Sequence, residues 1–176
     1  MSVRVRRVRA SDPLVRPLLR ELSAEYTERY GSTGGAVHEE LLRYPDAEFE
    51  PPYGSFLLLT DGATAVAGGA IRRYDAVTAE VKRVWTHSRR RRQGLARRVM
   101  AALEAEARRL GYARMYLTTG PRQPEARGLY LATGYTPLFD VARDPLEIGP
   151  LPFAKTLAVR ATPRSAARRA APARPR

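Results

Sequence analysis

Val3, Val5 and Val8, set among arginines, predict a first, half-buried strand. Asp12-Pro13 follows as a helix start. Val15, Leu18, Leu19, Leu22 and Tyr26 then fall on one helical face, with Pro17 tolerated because it lies near the first turn. Gly31 to Gly35 ends this helix. Val37 to Tyr44 predicts a second, shorter one with Leu41 and Leu42 inward, and the proline-rich run from Pro45 to Gly54 predicts a loop.

From Ser55 to Thr60 the chain is almost continuously apolar, as in a buried strand, and Asp61-Gly62 supplies a tight hairpin turn. Thr64 to Tyr74 predicts the returning strand, in which Gly68-Gly69 marks a bulge or a close backbone approach. A turn near Asp75 leads to a third strand, Val77 to Thr86. Leu95, Val99, Ala102, Leu103 and Leu110 define an amphipathic helix that stops at Gly111. Arg114 to Thr118 predicts a strand, and Pro124 opens a helix running to Thr133 and closed by Gly134. Tyr135 to Val141 and Phe153 to Arg160 predict two final strands. The order β-α-α-β-β-β-α-β-α-β-β implies a mixed α/β layer. Residues 1–160 form one domain, and the Ala/Pro/Arg-rich tail over 161–176 is expected to be disordered.

Composition narrows the function. The 176 residues are 44% hydrophobic and 28% charged, a globular balance. The absence of cysteine excludes a disulfide scaffold, a Cys nucleophile and a thiolate zinc site, and two histidines, His38 and His87, are too few for a His-rich metal centre. No apolar run is long enough for a membrane span, and the arginine-rich start has no apolar signal core, so a cytoplasmic protein is the default reading. The net charge of +13 invites a nucleic-acid partner. Two features argue against it. Every basic residue except Lys82 and Lys155 is arginine, in a chain also rich in alanine, and Arg164, Arg168, Arg169, Arg174 and Arg176 crowd the tail. Meanwhile residues 21–50 hold eight carboxylates against Arg29 and Arg43, a block suited either to receiving an amine cation or to a solvated helix face.

The chemistry concentrates where the third hairpin strand gives way to the long helix: Glu80-Val-Lys-Arg-Val-Trp-Thr-His-Ser-Arg-Arg-Arg-Arg-Gln-Gly-Leu-Ala96. The first turn of a helix presents unpaired N–H groups and a positive partial charge, and the small Gly94 and Ala96 let an anion approach the backbone. The expected ligand is a pyrophosphate. Neither a Walker loop nor a Rossmann G-x-G-x-x-G is present.

Arg91-Arg-Gln-Gly94-Leu-Ala96 fits [Q/R]-x-x-G-x-[G/A], and here the sequence resembles the GNAT superfamily of acetyl-CoA-dependent N-acetyltransferases. Further similarity lies in Ala79-Glu-Val-Lys-Arg-Val-Trp, in Thr118-Thr119, in Glu125-Ala126-Arg-Gly-Leu-Tyr130-Leu-Ala-Thr-Gly134-Tyr135 and in Phe153-Ala-Lys155-Thr-Leu157, spanning roughly residues 2–160. One departure is His87-Ser88, where relatives often carry a proline. The resemblance implies a GNAT fold, a mixed sheet of six to seven strands flanked by about four helices.

It also implies roles. Acetyl-CoA, a cosubstrate used without a metal, would lie between the fourth and fifth strands, its pantetheine on Val84, Trp85 and Thr86. Its pyrophosphate would lie on the amides of Arg91, Arg92, Gln93, Gly94, Leu95 and Ala96. The Val84 N–H would polarise the acetyl carbonyl, Glu80 would act as general base or else form a surface ion pair, and Tyr130 would protonate the leaving thiolate or else be a core tyrosine. Simple strand alternation puts Glu80, Lys82 and Val84 on one face and sends Trp85 to the other, into the core. Glu39, Glu40 and Tyr53 are candidate acceptor contacts. The implied reaction is direct acetyl transfer to a small cationic amine, with a peptide or protein amine, or a non-catalytic acyl-CoA-binding module, as alternatives. The implied partners are a small-molecule amine, with no membrane and no nucleic acid, and homodimerisation is left open.

Overall fold

The computed structural model describes residues 2–31 and 44–158. Residues 37–43 of the predicted second helix, together with Glu39 and Glu40, and the tail 161–176 lie outside the described residues.

In chain order the elements are β1 (Val3–Val8), α1 (Arg16–Tyr30), β2 (Ser55–Asp61), β3 (Thr64–Arg73), β4 (Thr78–Thr86), α2 (Leu95–Arg109), β5 (Arg114–Thr119), α3 (Pro124–Ala132), β6 (Thr136–Pro137), α4 (Pro145–Ile148) and β7 (Leu151–Thr156). The strands form one sheet in the order β1-β2-β3-β4-β5-β7-β6. Every neighbouring pair is antiparallel except β4 and β5. The seven strands and four helices among the described residues agree with the mixed α/β architecture read from the sequence.

Local chemistry explains the helix starts. Asp12 accepts the Leu14 N–H at 2.8 Å and opens a 3-10 turn over Pro13–Val15, so α1 begins three residues later than the Asp-Pro signal alone implies. Pro124 sits in the first turn of α3, where its missing N–H costs nothing.

Burial separates two cores, one on each sheet face. Val15, Leu18 and Leu22 of the α1 segment pack with Phe49, Phe56 and Leu58. Leu95, Val99, Leu103 and Ala107 of α2, one every fourth residue, pack on the opposite face with Leu57 and Leu59. Alternate residues of β2 thus serve opposite cores, so the strand is buried along nearly its whole length. The Gly68-Gly69 pair permits the close packing: a Cβ on Gly69 would lie 3.0 Å from a Leu103 methyl, and one on Gly68 would lie 2.6 Å from a Leu58 methyl.

The C-terminal strands differ from expectation. The strand predicted over 135–141 is only Thr136–Pro137: the last bond to β7 runs from the Leu138 N–H to the Pro152 carbonyl at 2.9 Å, after which Asp140 and Asp144 turn the chain through side-chain bonds to the Ala142 and Leu146 amides. Asp144-Pro145 then starts the short α4, which the apolar pattern did not announce. The last strand begins earlier than predicted, at Leu151, and ends at Thr156.

A buried carboxylate fastens α2 to the edge strand. Glu106 accepts bonds of 2.8 and 2.7 Å from Arg7 of β1 and two of 2.9 Å from Arg109. The Arg109 bonds, reinforced by Arg7 and opposed by burial, hold this carboxyl far below the usual carboxylate range. A lowered folded-state value makes its contribution complete above the unfolded value, about pH 4.3, and lost as pH falls toward the folded one. In urea titrations the stability gap between the parent protein and Glu106→Gln is therefore expected to shrink steadily from about pH 5 to pH 2. A constant gap would show that the carboxylate contributes packing alone.

Candidate active site

β4 and β5 pair only from Thr78–Arg114 to Glu80–Tyr116 and then diverge. β5 remains zipped to β7 through Thr119, and β4 to β3 through Thr86, so a wedge opens between two held strands at their carboxyl ends. Within it β4 bulges. Ala70 faces Lys82 and Gly68 faces Trp85, so Arg83 and Val84 together oppose Gly69 alone. Arg83 takes a left-handed backbone, φ 58°, a conformation that costs an arginine about 1–3 kcal/mol and recurs at functional sites.

The bulge corrects the sequence expectation for this strand. Alternation placed Val84 with Glu80 and Lys82. The extra residue turns the Val84 side chain to the α2 face, within contact of the Gly69 position. Trp85 does enter the α1-side core, where its indole N–H donates to Glu21 at 3.0 Å.

Two cavities meet at the wedge. A groove of about 440 Å³ runs along the start of α2, and Val84, Trp85, Thr86, Arg92, Gly94 and Ala96 are among its lining residues. Arg91 and Leu95 also line it, whereas Gln93 does not. Arg97, Glu125 and Leu129 complete walls that were not singled out from the sequence, although Glu125 and Leu129 lie inside the quoted α3 motif. The first helical bond of α2 runs from the Arg98 N–H to the Gly94 carbonyl, and its N-cap is a glycine, φ 74°, with no capping side chain. The amides of Leu95, Ala96 and Arg97 are thus left for a ligand. Backbone donors, adjacent guanidiniums and a strand edge of β4 left unpaired with β5 beyond Glu80 fit coenzyme A.

The second cavity, about 250 Å³, lies on the other side of the wedge between α1, β4 and the β5–α3 connection. Tyr26, Tyr30, Tyr44, Lys82 and Arg83 contribute to its wall. It shares Leu22, Val84, Gln123, Ala126 and Tyr130 with the groove, so a group held in one reaches a group held in the other at Val84 and Tyr130. Tyr130 is 6% exposed and packs its ring against Tyr135 and Phe153. Burial pushes its phenol well above the ordinary value.

The remaining sequence candidates lie elsewhere. Glu80 is buried and belongs to neither cavity wall. Its Oε2 meets Arg72 at 2.8 Å and its Oε1 meets Lys82 at 3.1 Å, the ion-pair arrangement. Tyr53 is corrected more fully. It sits beside the start of β2, at the opposite end of the sheet, where its carbonyl accepts the Tyr112 hydroxyl at 2.6 Å and Arg73 stacks on its ring. Three carboxylates of the acidic block are engaged within the protein: Glu21 with Trp85 and Ser88, Glu25 with Arg29 and Arg91, and Glu48 with Arg72. Burial opposes ionisation of Glu21, but the Trp85 and Ser88 bonds prevail and hold it below its ordinary value. Through these contacts α1 clamps the segment over 88–91 in front of α2. Arg90 adds a 3.0 Å bond to Asp61 in the β2–β3 hairpin.

Residues 16–135 match the model of the acetyltransferase (GNAT) family. No curated protein sequence matches the chain. Among solved structures it is similar to a Klebsiella pneumoniae protein assigned as an acyl-CoA N-acyltransferase, with 26% identity, a TM-score of 0.66 and coverage of 89% of this chain and 98% of that one. Its fold is also similar to a Salmonella typhimurium protein assigned as an acetyltransferase and holding its cofactor acetyl-CoA (16% identity, TM-score 0.62, coverage 94% and 99%). A third likeness of fold is to the PaiA N-acetyltransferase of Thermoplasma acidophilum in complex with coenzyme A (13% identity, TM-score 0.67, coverage 89% and 99%). Among the described residues no helix is long and apolar enough to cross a membrane.

Proposed function

The chain belongs to the GNAT acetyltransferase family and is an acyltransferase of that type, and from that premise we propose that it transfers an acetyl group from acetyl-CoA to a primary amine by direct attack in a ternary complex. The observation that carries the reading is the meeting of the two cavities at Val84 and Tyr130. The groove receives the coenzyme, with its pyrophosphate on the first amides of α2 beside Arg91, Arg92 and Arg97 and its pantetheine along the unpaired edge of β4. The thioester then lies at the junction, and the amine arrives from the second cavity.

As nitrogen attacks, the acetyl oxygen gains charge, and the Val84 N–H donates to it. One fixed donor of this kind contributes on the order of 3 kcal/mol. The C–S bond breaks, the attacking nitrogen gives up its proton, and the departing thiolate takes one up to leave as coenzyme A thiol, whose value near 8.5 demands little acid assistance. Tyr130 provides that assistance as a hydrogen-bond donor held at the junction. A primary ammonium, with a value near 10, must lose a proton before it attacks. In this reading water carries this proton away; among the described residues no carboxylate or imidazole lines the acceptor cavity.

Initial-rate measurements of thiol release against both substrates provide the test. Intersecting double-reciprocal lines are expected, and kcat/KM should rise with pH up to the amine's own value. Parallel lines would point to an acetyl-enzyme and overturn direct attack. A plateau well below the amine's value would reveal a base in the enzyme.

A further inference from the structure

We infer that Glu21 of α1 is a positioning residue for the coenzyme: its carboxylate sets the two segments that grip acetyl-CoA at a fixed angle to each other. The inference rests on the acetyl-transfer reading and adds a residue to its coenzyme site.

One segment is the end of β4, where Val84, Trp85 and Thr86 line the groove. The other is the start of α2, where Gly94, Leu95 and Ala96 line it. Pairing with β3 holds the first as far as the His87 N–H, which donates to the Val66 carbonyl at 2.9 Å. Helical bonds hold the second from Leu95 onward. Between them the chain leaves the sheet, so the angle between the two depends on what fastens residues 88–94.

Glu21 fastens their near end. Its Oε2 accepts both the Trp85 indole N–H and the Ser88 backbone N–H at 3.0 Å, and its Oε1 accepts the Ser88 hydroxyl at 3.2 Å. One carboxylate thus joins the last residues of β4 to the first residue of the connector. His87 Nε2 lies 3.6 Å from the same Oε1. The turn continues with the Arg89 N–H donating to His87 Nδ1 at 3.2 Å and the Arg90 N–H donating to the His87 carbonyl at 2.8 Å. The amides of Ser88, Arg89 and Arg90 are all committed within the protein, so this stretch braces the site. Glu25, one turn further along α1, holds Arg91 at 2.8 Å.

Glu21 itself is not part of the groove wall. It acts through Trp85 and Ser88 and not on the ligand. A ligand gripped at both ends gains when the two grips are correctly spaced before it arrives, whereas a fragment that uses one grip gains nothing from that spacing. The signature of Glu21 is therefore a loss felt by the whole coenzyme and spared by its half.

The test measures calorimetric binding of acetyl-CoA and of the coenzyme's nucleotide half, 3′-phosphoadenosine 5′-diphosphate. Alanine is a good helix former and the Glu21 side chain is 25% exposed, so Glu21→Ala keeps α1 and lets water reach the freed donors. This variant is expected to bind acetyl-CoA about ten-fold more weakly and the nucleotide half within about two-fold of the parent protein. Glu21→Gln offers an oxygen to the Trp85 and Ser88 N–H groups and an amide N–H to the Ser88 hydroxyl, so it should restore most of the affinity for acetyl-CoA. Glu21→Asp keeps the charge but draws it back by one carbon, and it should lose part of that affinity. Equal losses for acetyl-CoA and the nucleotide half would overturn the inference and leave acetyl transfer standing. So would unchanged binding of both, or a glutamine variant as weak as the alanine one. Failure of the unmodified protein to bind acetyl-CoA would instead overturn the functional reading on which the inference rests.

Discussion

A Gly94→Val variant is expected to bind acetyl-CoA between about ten- and one-hundred-fold more weakly, because a β-branched residue resists the left-handed backbone, φ 74°, from which α2 starts. Steric exclusion is not the reason, since a Cβ at this position would have no atom within 4 Å. The penalty is conformational, of order 1–3 kcal/mol. It must appear in one of two places. If the loop keeps its shape, the protein loses stability and the amides stay aimed. If the loop relaxes, stability recovers and the Leu95, Ala96 and Arg97 amides turn away from the pyrophosphate. The loop at Arg91–Gly94 is exposed and makes few fixed contacts beyond Arg91 with Glu25, so relaxation is the cheaper course and affinity bears the loss. Calorimetric titration with acetyl-CoA measures it, and an unchanged affinity would detach the start of α2 from coenzyme binding. Arg92, φ 62°, supplies the contrast. Arg92→Gly relieves backbone strain and removes one guanidinium, so its loss of affinity relative to the parent protein should shrink as salt is added, whereas the loss in Gly94→Val should not.

Much of this site is legible in the sequence because its parts are local. The glycine before an amphipathic helix, the preceding strand and the Leu129-Tyr130 pair each follow from short-range rules of capping and periodicity. The hairpins β2–β3 and β3–β4 are equally local, since turn chemistry at Asp61-Gly62 and Asp75 fixes them. What escaped is set by distant partners. Period-two alternation carries Val84 to the same face as Glu80, and only the opposing Gly69, with α2 pressed close behind it, makes room for the bulge that turns it over. Likewise nothing in the acidic block announces that Glu21 caps the Ser88 amide or that Glu25 holds Arg91, residues more than sixty positions away. The chain terminus misled for a different reason. Tyr135 to Val141 has strand composition, but Leu138 and Val141 find no core and stay exposed, and Asp140 turns the chain through its bond to the Ala142 amide.

Glu80→Gln is expected to lower stability by about 2–3 kcal/mol, near the bottom of the range for removing one partner of a buried ion pair. The value is moderated because Arg72 and Lys82 keep side-chain exposures of 18% and 13% beside the carboxylate's 7%. For a chain of this size the midpoint of thermal unfolding should fall by roughly 5–10 °C. The catalytic consequence follows from position. Glu80 orients Lys82 and, through Arg72, the Tyr44 ring, which has the Arg72 guanidinium 4.1 Å from its centre. It is a positioning residue for the acceptor cavity, so the acceptor's KM should rise several-fold while kcat changes little and the pH dependence keeps its shape. A general base behaves otherwise. Its loss would cut kcat by about 10²–10⁴-fold, and the remaining activity would follow hydroxide. Measuring kcat, KM and the pH profile together, at a temperature where the variant is fully folded, separates the two. A kcat collapse with an intact fold would return Glu80 to the role of proton acceptor and place the water-borne route in error.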